Sequence, residues 1–259
     1  MAQLTLNPVI PTRPQAASWS KLYKLGCFSA MAALMAAMVD IVLSMFPAGA
    51  APDPGKGSAV EWFTLLQRNW FLGLRGLGIL NILNSLLLVL VFSALYTAIS
   101  QSALPQRGVK AIAALAIIFL VIGSIIYTAN NPALPMLHLS NQYTTAANEA
   151  ERSLLAASGQ ALLARAEDFT PGAFPGFLFN EAAGILMGIA MFRSRLFTQP
   201  TTWSGLGGFT LLLVFIIWST FIPVYYEAAM IIAQAGGLLM AVWCILVARK
   251  LFKLGQIVS

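Results

Sequence analysis

Charge is scarce in this chain of 259 residues. Lys, Arg, Asp and Glu together make up 9% of it, while hydrophobic residues make up 59%. Soluble domains carry roughly 25% charged residues, because charge covers the surface that faces water. A chain of this length with so little charge must hide most of its surface in lipid. The composition therefore excludes an ordinary soluble domain and predicts an integral membrane protein.

Histidine and cysteine are almost absent as well. The chain has one histidine, His138, and two cysteines, Cys27 and Cys244. This excludes bis-histidine haem ligation, a multi-histidine metal site, a disulfide framework and CxxC metal spacing. The sequence also lacks a serine elbow and a phosphate-binding loop with its lysine. We therefore expect no cofactor and no metal, and the absent motifs favour a protein that is not an enzyme.

Long apolar runs are what the chain has instead. About 20 apolar residues, rising ~1.5 Å each, cross the ~30 Å hydrocarbon core of a bilayer. The sequence predicts an all-α, polytopic membrane helix bundle that forms a single domain over residues 21–259, after a polar, proline-bearing arm at 1–20. Its six predicted transmembrane helices cover residues 22–46, 71–100, 111–128, 177–197, 206–222 and 226–251.

Residues 129–176 form the one substantial segment outside the predicted helices of the bundle. Within it, residues 145–166 predict an amphipathic helix on the outer surface, with Thr145 as its N-cap. Its apolar stripe is Leu154, Leu155, Leu162 and Leu163. Residues 58–68, in the loop between the first two spans, predict a second short helix at the membrane interface.

The distribution of basic residues predicts the orientation. If the N-terminus is cytoplasmic, ten of the 15 basic residues and none of the nine acidic ones lie inside: Arg13, Lys21, Lys24, Arg107, Lys110, Arg193, Arg195, Arg249, Lys250 and Lys253. This matches the positive-inside rule, and the reverse orientation would invert it. We expect a multi-pass protein of the cell (plasma) membrane with both termini in the cytoplasm. Because the net charge of +6 arises at helix ends, we expect no binding to nucleic acid.

Three of the predicted helices share a pattern at their starts. Arg75, Glu181 and Glu227 each come before small residues and then aliphatic ones. The recurrence is typical of a bundle built from three two-helix hairpins, although apolar segments also resemble one another by chance.

Short motifs along most of the chain carry a family resemblance. Arg75 opens the second predicted span, Leu95-Tyr96 lies near its end, and Phe192-Arg193-Ser194 precedes Pro200 and Gly205; the others are the loop that starts Asn131-Pro and the later Asn141-Gln-Tyr. Together they resemble a bacterial family of six-helix integral membrane proteins known only as a domain of unknown function. The resemblance implies the fold and the membrane location, but no activity.

Ionisable and amide side chains inside the outer halves of the spans are the candidate site. Intramembrane ionisable residues are costly, so each needs water, a partner or a role. We expect an outward-facing polar pocket, able to bind a cation, a proton or a polar head group, in which Arg75 pairs with a carboxylate. The alternative is purely structural, with one ion pair and the remaining charges reaching the surface. The candidate residues are Asp40, Arg75, Asn81, Asn84, Glu181 and Glu227.

Gly184 and Gly188 form a GxxxG pattern on the face of Glu181. Small residues at this spacing let helices approach closely, so the pattern indicates a packing seam. The seam lies either inside the bundle or between this chain and a protein partner or a second copy. Besides that partner, the expected surroundings are the lipid bilayer.

Three functions remain open at this point. The first is a structural or regulatory membrane component that acts through helix and loop contacts, which suits the missing catalytic motifs. The second is a small transporter or ion-coupled carrier that uses the polar pocket. The third is a lipid-modifying membrane enzyme.

Overall fold

The computed structural model describes residues 13–44, 52, 57–102 and 107–257. Six helices are long and apolar enough to cross a membrane, so the chain is a multi-pass membrane protein. The described residues are helical or irregular, without a strand, which confirms the predicted all-α bundle. The six spanning helices are α1 (Arg13–Ser44), α4 (Ile79–Ser100), α5 (Arg107–Asn130), α8 (Phe174–Ser194), α9 (Gln199–Phe221) and α10 (Tyr226–Ile257).

Four shorter helices lie at one end of the bundle. They are α2 (Ala59–Arg68), α3 (Trp70–Gly76), α6 (Ala133–Thr145) and α7 (Glu149–Ala166). We call these four helices the cap, and the bundle end that carries them the capped end. The opposite end, where α1 begins and α10 ends, is the basic end. There, Ser20 Oγ donates a hydrogen bond of 2.7 Å to the carbonyl of Gly255, so the two terminal helices meet.

The spanning helices pack as a closed ring in the order α1, α4, α5, α8, α9 and α10. The most extensive contacts lie within the successive pairs α1–α4, α5–α8 and α9–α10. Each pair is antiparallel and is joined through one end of the bundle. The bundle therefore consists of three hairpins, although the charged residues that suggested them do not all open spans: Arg75 lies in α3, and Glu181 lies seven residues after the start of α8.

Aromatic side chains fill the centre of the helix bundle. Phe92 on α4, Phe209 on α9 and Trp243 on α10 contact one another edge to face, with centroids 5.4 to 6.3 Å apart. Gly184 and Gly188 lie beside them, on the face of α8 that packs against α9. A β-carbon at Gly184 would collide with the Phe209 ring, and one at Gly188 with Leu206. The GxxxG pattern thus forms a packing seam within the chain, and the predicted association with a partner or a second copy through Gly184 and Gly188 remains a prediction.

The cap has a hydrophobic core of its own, separate from that of the bundle. Its largest fully buried side chains are Trp62, Phe63, Leu66, Met136 and Leu163. The predicted short helix at 58–68 is present as α2. It begins with a capping box, in which Glu61 N–H donates to Ser58 Oγ at 3.3 Å and Ser58 N–H donates to the Glu61 carboxylate at 2.8 Å.

The predicted helix over 145–166 is correct in its body and wrong at its start. Thr145 ends α6, and the N-cap of α7 is Asn148, whose side chain accepts from Glu151 N–H at 2.9 Å. The leucine stripe is also narrower than expected. Leu163 is buried against α2, whereas Leu154 is 68% exposed.

Further boundaries differ from the sequence prediction. Helix α9 begins at Gln199, seven residues before the predicted start at 206, and α10 ends at Ile257, six residues after the predicted end at 251. The predicted second span, 71–100, is broken at Leu77 and Gly78 into the short α3 and the spanning α4. Arg75 therefore belongs to the cap and does not open the span. Helix α1 begins at Arg13, so the predicted arm is helical from that residue on, while residues 1–12 lie outside the described part.

Candidate functional site

The break between α3 and α4 depends on Gly78. Its φ is +84°, in the left-handed region that side chains with a β-carbon rarely adopt. A β-carbon here would also collide with the hydroxyl of Tyr127 and crowd Asp168 and Asn131. Glycine is therefore required twice, by conformation and by space. At this break the backbone of Gly78 lies against polar side chains from other elements of the structure.

A second break, between α5 and α6, meets the first. Asn131 sits between these helices and precedes Pro132, which has no N–H to continue the helix. The Asn131 side chain donates to the carbonyl of Leu77 at 3.0 Å and accepts from Ala133 N–H at 3.0 Å. One side chain thus satisfies backbone groups freed by both breaks and joins them.

Asp168 is the acceptor at the centre of this region. It lies in the loop between α7 and α8 and accepts from Tyr127 Oη at 2.8 Å and from Asn81 Nδ2 at 3.0 Å. Burial raises the pKa of Asp168 to about 6; the two hydrogen bonds oppose the rise, and the negative charge of Asp40 adds to it. We refer to Gly78, Asn81, Tyr127, Asn131 and Asp168 as the latch, because they join α4, α5 and the loop beyond the cap.

The residue after Asp168 has an unusual backbone. Phe169 has φ +67°, an outlier for a bulky side chain. This conformation turns its ring into an aromatic cluster at the capped ends of α8, α9 and α10. The Phe169 centroid lies 6.2 Å from Phe177, 5.1 Å from Phe215 and 6.1 Å from Tyr226. The local strain is thus offset by aromatic packing that holds Asp168 in place.

Arg75 and Asp40 form an ion pair beside the latch. Arg75 Nε donates to Asp40 Oδ1 at 2.7 Å, and Arg75 Nη2 donates to the Asp40 backbone carbonyl at 2.9 Å. The Arg75 side chain is only 6% exposed, whereas that of Asp40 is 46% exposed. The expected contact of Arg75 with a carboxylate is therefore present, and it ties α1 to the cap. The deeper of the two charges is the arginine, and the carboxylate reaches the surface.

Deeper in the bundle, α4 and α8 carry a second group of polar side chains. Asn180 Nδ2 donates to Ser85 Oγ at 3.5 Å, so these two residues lie at the same depth in the bundle. Their neighbours in the sequence are Asn84 on α4 and Glu181 on α8. Three buried oxygens at this level, Asn84 Oδ1, Asn180 Oδ1 and Glu181 Oε2, have no hydrogen-bond partner among the described residues. We call Asn84, Asn180 and Glu181 the inner layer.

The predicted pocket residues therefore divide among three places. Asp40 and Arg75 form the ion pair, Asn81 belongs to the latch, and Asn84 and Glu181 belong to the inner layer. The asparagines lie in the first two turns of α4, nearer the capped end than the mid-membrane depth expected for them. The side chain of Glu227 lies outside the described part of the structure. Whether these groups form a functional site remains a prediction.

Sequence reasoning missed Tyr127, Asp168 and Asn180 and did not place Asn131 in the site. Tyr127 and Asn131 stand four residues apart at the end of a span, a spacing that puts two polar groups on one helix face. Asp168 offered no periodic signal, because it lies in an irregular loop. Its role depends on a contact 87 residues away along the chain, with Asn81.

Comparison of this chain with protein-family models, with curated proteins and with solved structures finds no match.

Proposed function

We propose that this chain is a structural or regulatory component of the plasma membrane that acts by contact with a partner. The observation that carries the proposal is the cap. Four helices outside the ring of spans build a separate hydrophobic core and are joined to the bundle by the latch and the ion pair. An ordered surface of this kind binds a partner at low entropic cost, because little has to be fixed on association.

Helix α7 offers the exposed face that suits this role. Leu154 is 68% exposed in the middle of a helix that also carries the exposed charges Glu149, Glu151 and Arg152. An exposed apolar side chain next to charged ones is the composition found at polar-rimmed protein contacts. The spans also expose apolar residues, but these match lipid. The cap is therefore the face on which protein contact is expected.

A photo-crosslinking amino acid tests the proposal in cells. Placed at Leu154, it is expected to form an adduct with a specific protein. The matched control is Ile231 on α10, which is 69% exposed on the bundle and is expected to label lipid alone. The proposal is wrong if Leu154 yields the same lipid-only adducts as Ile231, or if its protein adducts are spread over many unrelated membrane proteins.

A second candidate function is that of an ion-coupled carrier. Glu181 favours it, since a buried carboxylate inside a span is costly and usually marks an ion or proton pathway. The helix breaks at Gly78 and Asn131 are the kind of discontinuity found at such sites, although they lie at the capped end. Ion flux into vesicles that contain the purified chain, compared with Asp40→Asn and Glu181→Gln variants, tests this function. Flux equal to that of empty vesicles would exclude it.

The remaining expectations are also proposals. We propose that the basic end faces the cytoplasm, supported by the ten basic residues that collect there without an acidic one. We further propose membership of the bacterial six-helix family of unknown function. Its support is the short motifs quoted above and the six spans.

A further inference from the structure

The basic end carries positive charge that no carboxylate of the described residues balances. Ten basic residues collect there, whereas the described Asp and Glu residues lie in the cap, in the loop after it or in the capped halves of the spans. The ion pairs of Arg75 with Asp40 and of Arg152 with Glu149 are both at the capped end. The charge of the basic end therefore faces the surroundings of the protein uncompensated.

Five of these basic residues lie in one thin layer where α1 and α10 meet. The hydrogen bond from Ser20 to Gly255 sets the relative level of the two antiparallel helices, and a β-carbon at Gly255 would lie 3.3 Å from Lys24 Cγ. Counted from that level at ~1.5 Å per residue, the five occupy about 8 Å of depth, close to the roughly 5–8 Å of one headgroup region. We call them the basic layer: Lys21, Lys24, Arg249, Lys250 and Lys253.

Along α1, exposed basic residues are followed by exposed apolar ones. Lys21 and Lys24 are both exposed. Leu25 and Phe28 come four residues after them, one turn deeper on the same faces, and are 45% and 66% exposed. The surface of α1 thus changes from charge to hydrocarbon within one helical turn.

Helix α10 repeats this order on its exposed face. Lys253 and Arg249, four residues apart, are both exposed, and Ile245, another four residues deeper, is 41% exposed. Two contacting helices therefore present the same sequence of surfaces, basic at the end of the bundle and apolar beneath it.

This order of surfaces selects the kind of ligand. A phospholipid places its phosphate above its acyl chains, in the same vertical order as the charges and apolar residues here. A water-soluble polyanion such as a nucleic acid has no acyl chain to cover Leu25 and Phe28. A zwitterionic lipid brings a positive charge with its phosphate, so only an anionic lipid neutralises the basic layer.

We propose that the basic layer binds the headgroups of anionic phospholipids, whose acyl chains lie along the exposed apolar residues of α1 and α10. The bound headgroups offset the repulsion between the lysines and arginines of the two contacting helices, and so stabilise the contact between them. This surface lies at the end of the bundle opposite the cap, so the proposal does not depend on the partner proposed for the cap.

Thermal unfolding of the purified full chain measures this binding. Tryptophan fluorescence is followed in a neutral detergent at one pH, with equal amounts of phosphatidylglycerol or phosphatidylcholine added. We expect the unfolding midpoint to rise in a saturable way with phosphatidylglycerol, and by more than with phosphatidylcholine. The difference should shrink as NaCl is added, because salt screens the charges. Inorganic phosphate at the same ionic strength is expected to have no such effect, since it has no acyl chain.

Combining Lys24→Gln with Lys253→Gln removes one charge of the basic layer from each helix. The apparent affinity for phosphatidylglycerol is expected to fall about thirtyfold, which corresponds to ~1 kcal/mol for each basic residue near an anionic surface. The matched control combines Arg68→Gln with Arg152→Gln, at two exposed residues of the cap, and is expected to keep the wild-type affinity. Lys24→Arg with Lys253→Arg, which conserves the charge, is expected to keep it as well.

If the double Gln variant of the basic layer does not fold, the two single variants decide the question, each with an expected loss of about fivefold. The proposal is overturned if phosphatidylcholine or inorganic phosphate stabilises the chain as much as phosphatidylglycerol does. It is also overturned if added salt leaves the effect of phosphatidylglycerol unchanged, or if the folded variants of the basic layer respond to this lipid as the control does.

Discussion

The ion pair between Arg75 and Asp40 is asymmetric, and this asymmetry decides what each substitution costs. Arg75 is 6% exposed and Asp40 is 46% exposed. Removing the partner of a buried charge costs about 3–5 kcal/mol, whereas a surface charge is re-solvated by water at little cost. Asp40→Ala removes the carboxylate from the buried guanidinium, which keeps only its bond to the backbone carbonyl of residue 40, while Arg75→Leu leaves a half-exposed carboxylate near the capped end of α1.

We therefore expect Asp40→Ala to lower the free energy of unfolding by about 3 kcal/mol, and Arg75→Leu by about 1–2 kcal/mol. Unfolding of the two variants in a denaturing detergent, each compared with wild type, measures the difference. Equal losses would show that the pair behaves as a fully buried one. A larger loss for Arg75→Leu would contradict the geometry.

The raised pKa of Asp168 predicts that the stability of the folded chain depends on pH. The pKa of Asp168 in the folded protein is about 6, against an ordinary value of 3.8. The folded state thus binds the proton more tightly than the unfolded state. The stabilisation by the protonated form is full below about pH 4 and is lost as the pH rises through about 6. A pKa shift of about two units corresponds to a change of about 3 kcal/mol in the free energy of unfolding, as an upper bound.

The prediction is that Asp168→Asn flattens the dependence of stability on pH between 4 and 6. Asparagine cannot titrate, and its side-chain oxygen still accepts from Tyr127. Unfolding midpoints of the variant and the wild type at several pH values supply the measurement. Tyr127→Phe is the companion variant: it removes the hydrogen bond but leaves the carboxyl, so it should lower stability and keep a pH dependence. An unchanged wild-type profile in Asp168→Asn would assign the titration to another group.

At the scale of the element, the apolar spans could be predicted from length and composition, but the breaks between helices could not. The predicted second span joined α3 to α4 because Gly76 and Gly78 lie within an otherwise apolar run. A glycine there is compatible with a helix, and only its contacts with Tyr127 and Asp168 show that the chain turns. Helix α6 was missed for a related reason, since Pro132 and Pro135 read as turn signals although proline is tolerated in the first turn of a helix.

Gly78 supplies the test of the first break. Gly78→Ala is expected to cost about 2–3 kcal/mol, because alanine is strained at positive φ and its β-carbon meets the Tyr127 hydroxyl. Gly108→Ala is the matched control: it changes an exposed glycine of α5 with no atom within 4 Å, so it is expected to be neutral or slightly stabilising. The measurements are unfolding midpoints and the rate of proteolysis within the cap. A neutral Gly78→Ala would mean that the break does not depend on glycine.

At the scale of the whole molecule, the six spans were within reach of the sequence, because apolar runs are local signals, whereas the order in which the spans pack as a ring was not. The candidate site was only partly within its reach. Asp40, Arg75, Asn81, Asn84 and Glu181 are polar groups in apolar segments, which makes them visible in the sequence. The latch and the inner layer need α5, α8 and the loop at Asp168 as well. Their residues become neighbours only through the order in which the helices pack.

The orientation of the bundle is predicted from this architecture together with the charges. An even number of spans places residues 13 and 257 at one end, as the contact of Ser20 with Gly255 shows, and the cap at the other. The positive-inside rule then predicts that the basic end is cytoplasmic. Single cysteines at Ser153 in the cap and Lys253 near the basic end test this, since the native Cys27 and Cys244 are buried and give little background. An impermeant thiol reagent added to intact cells should label Ser153→Cys and spare Lys253→Cys until the membrane is opened. Labelling of Lys253→Cys alone would show the opposite orientation, with the cap in the cytoplasm. The partner of the cap would then have to be sought there.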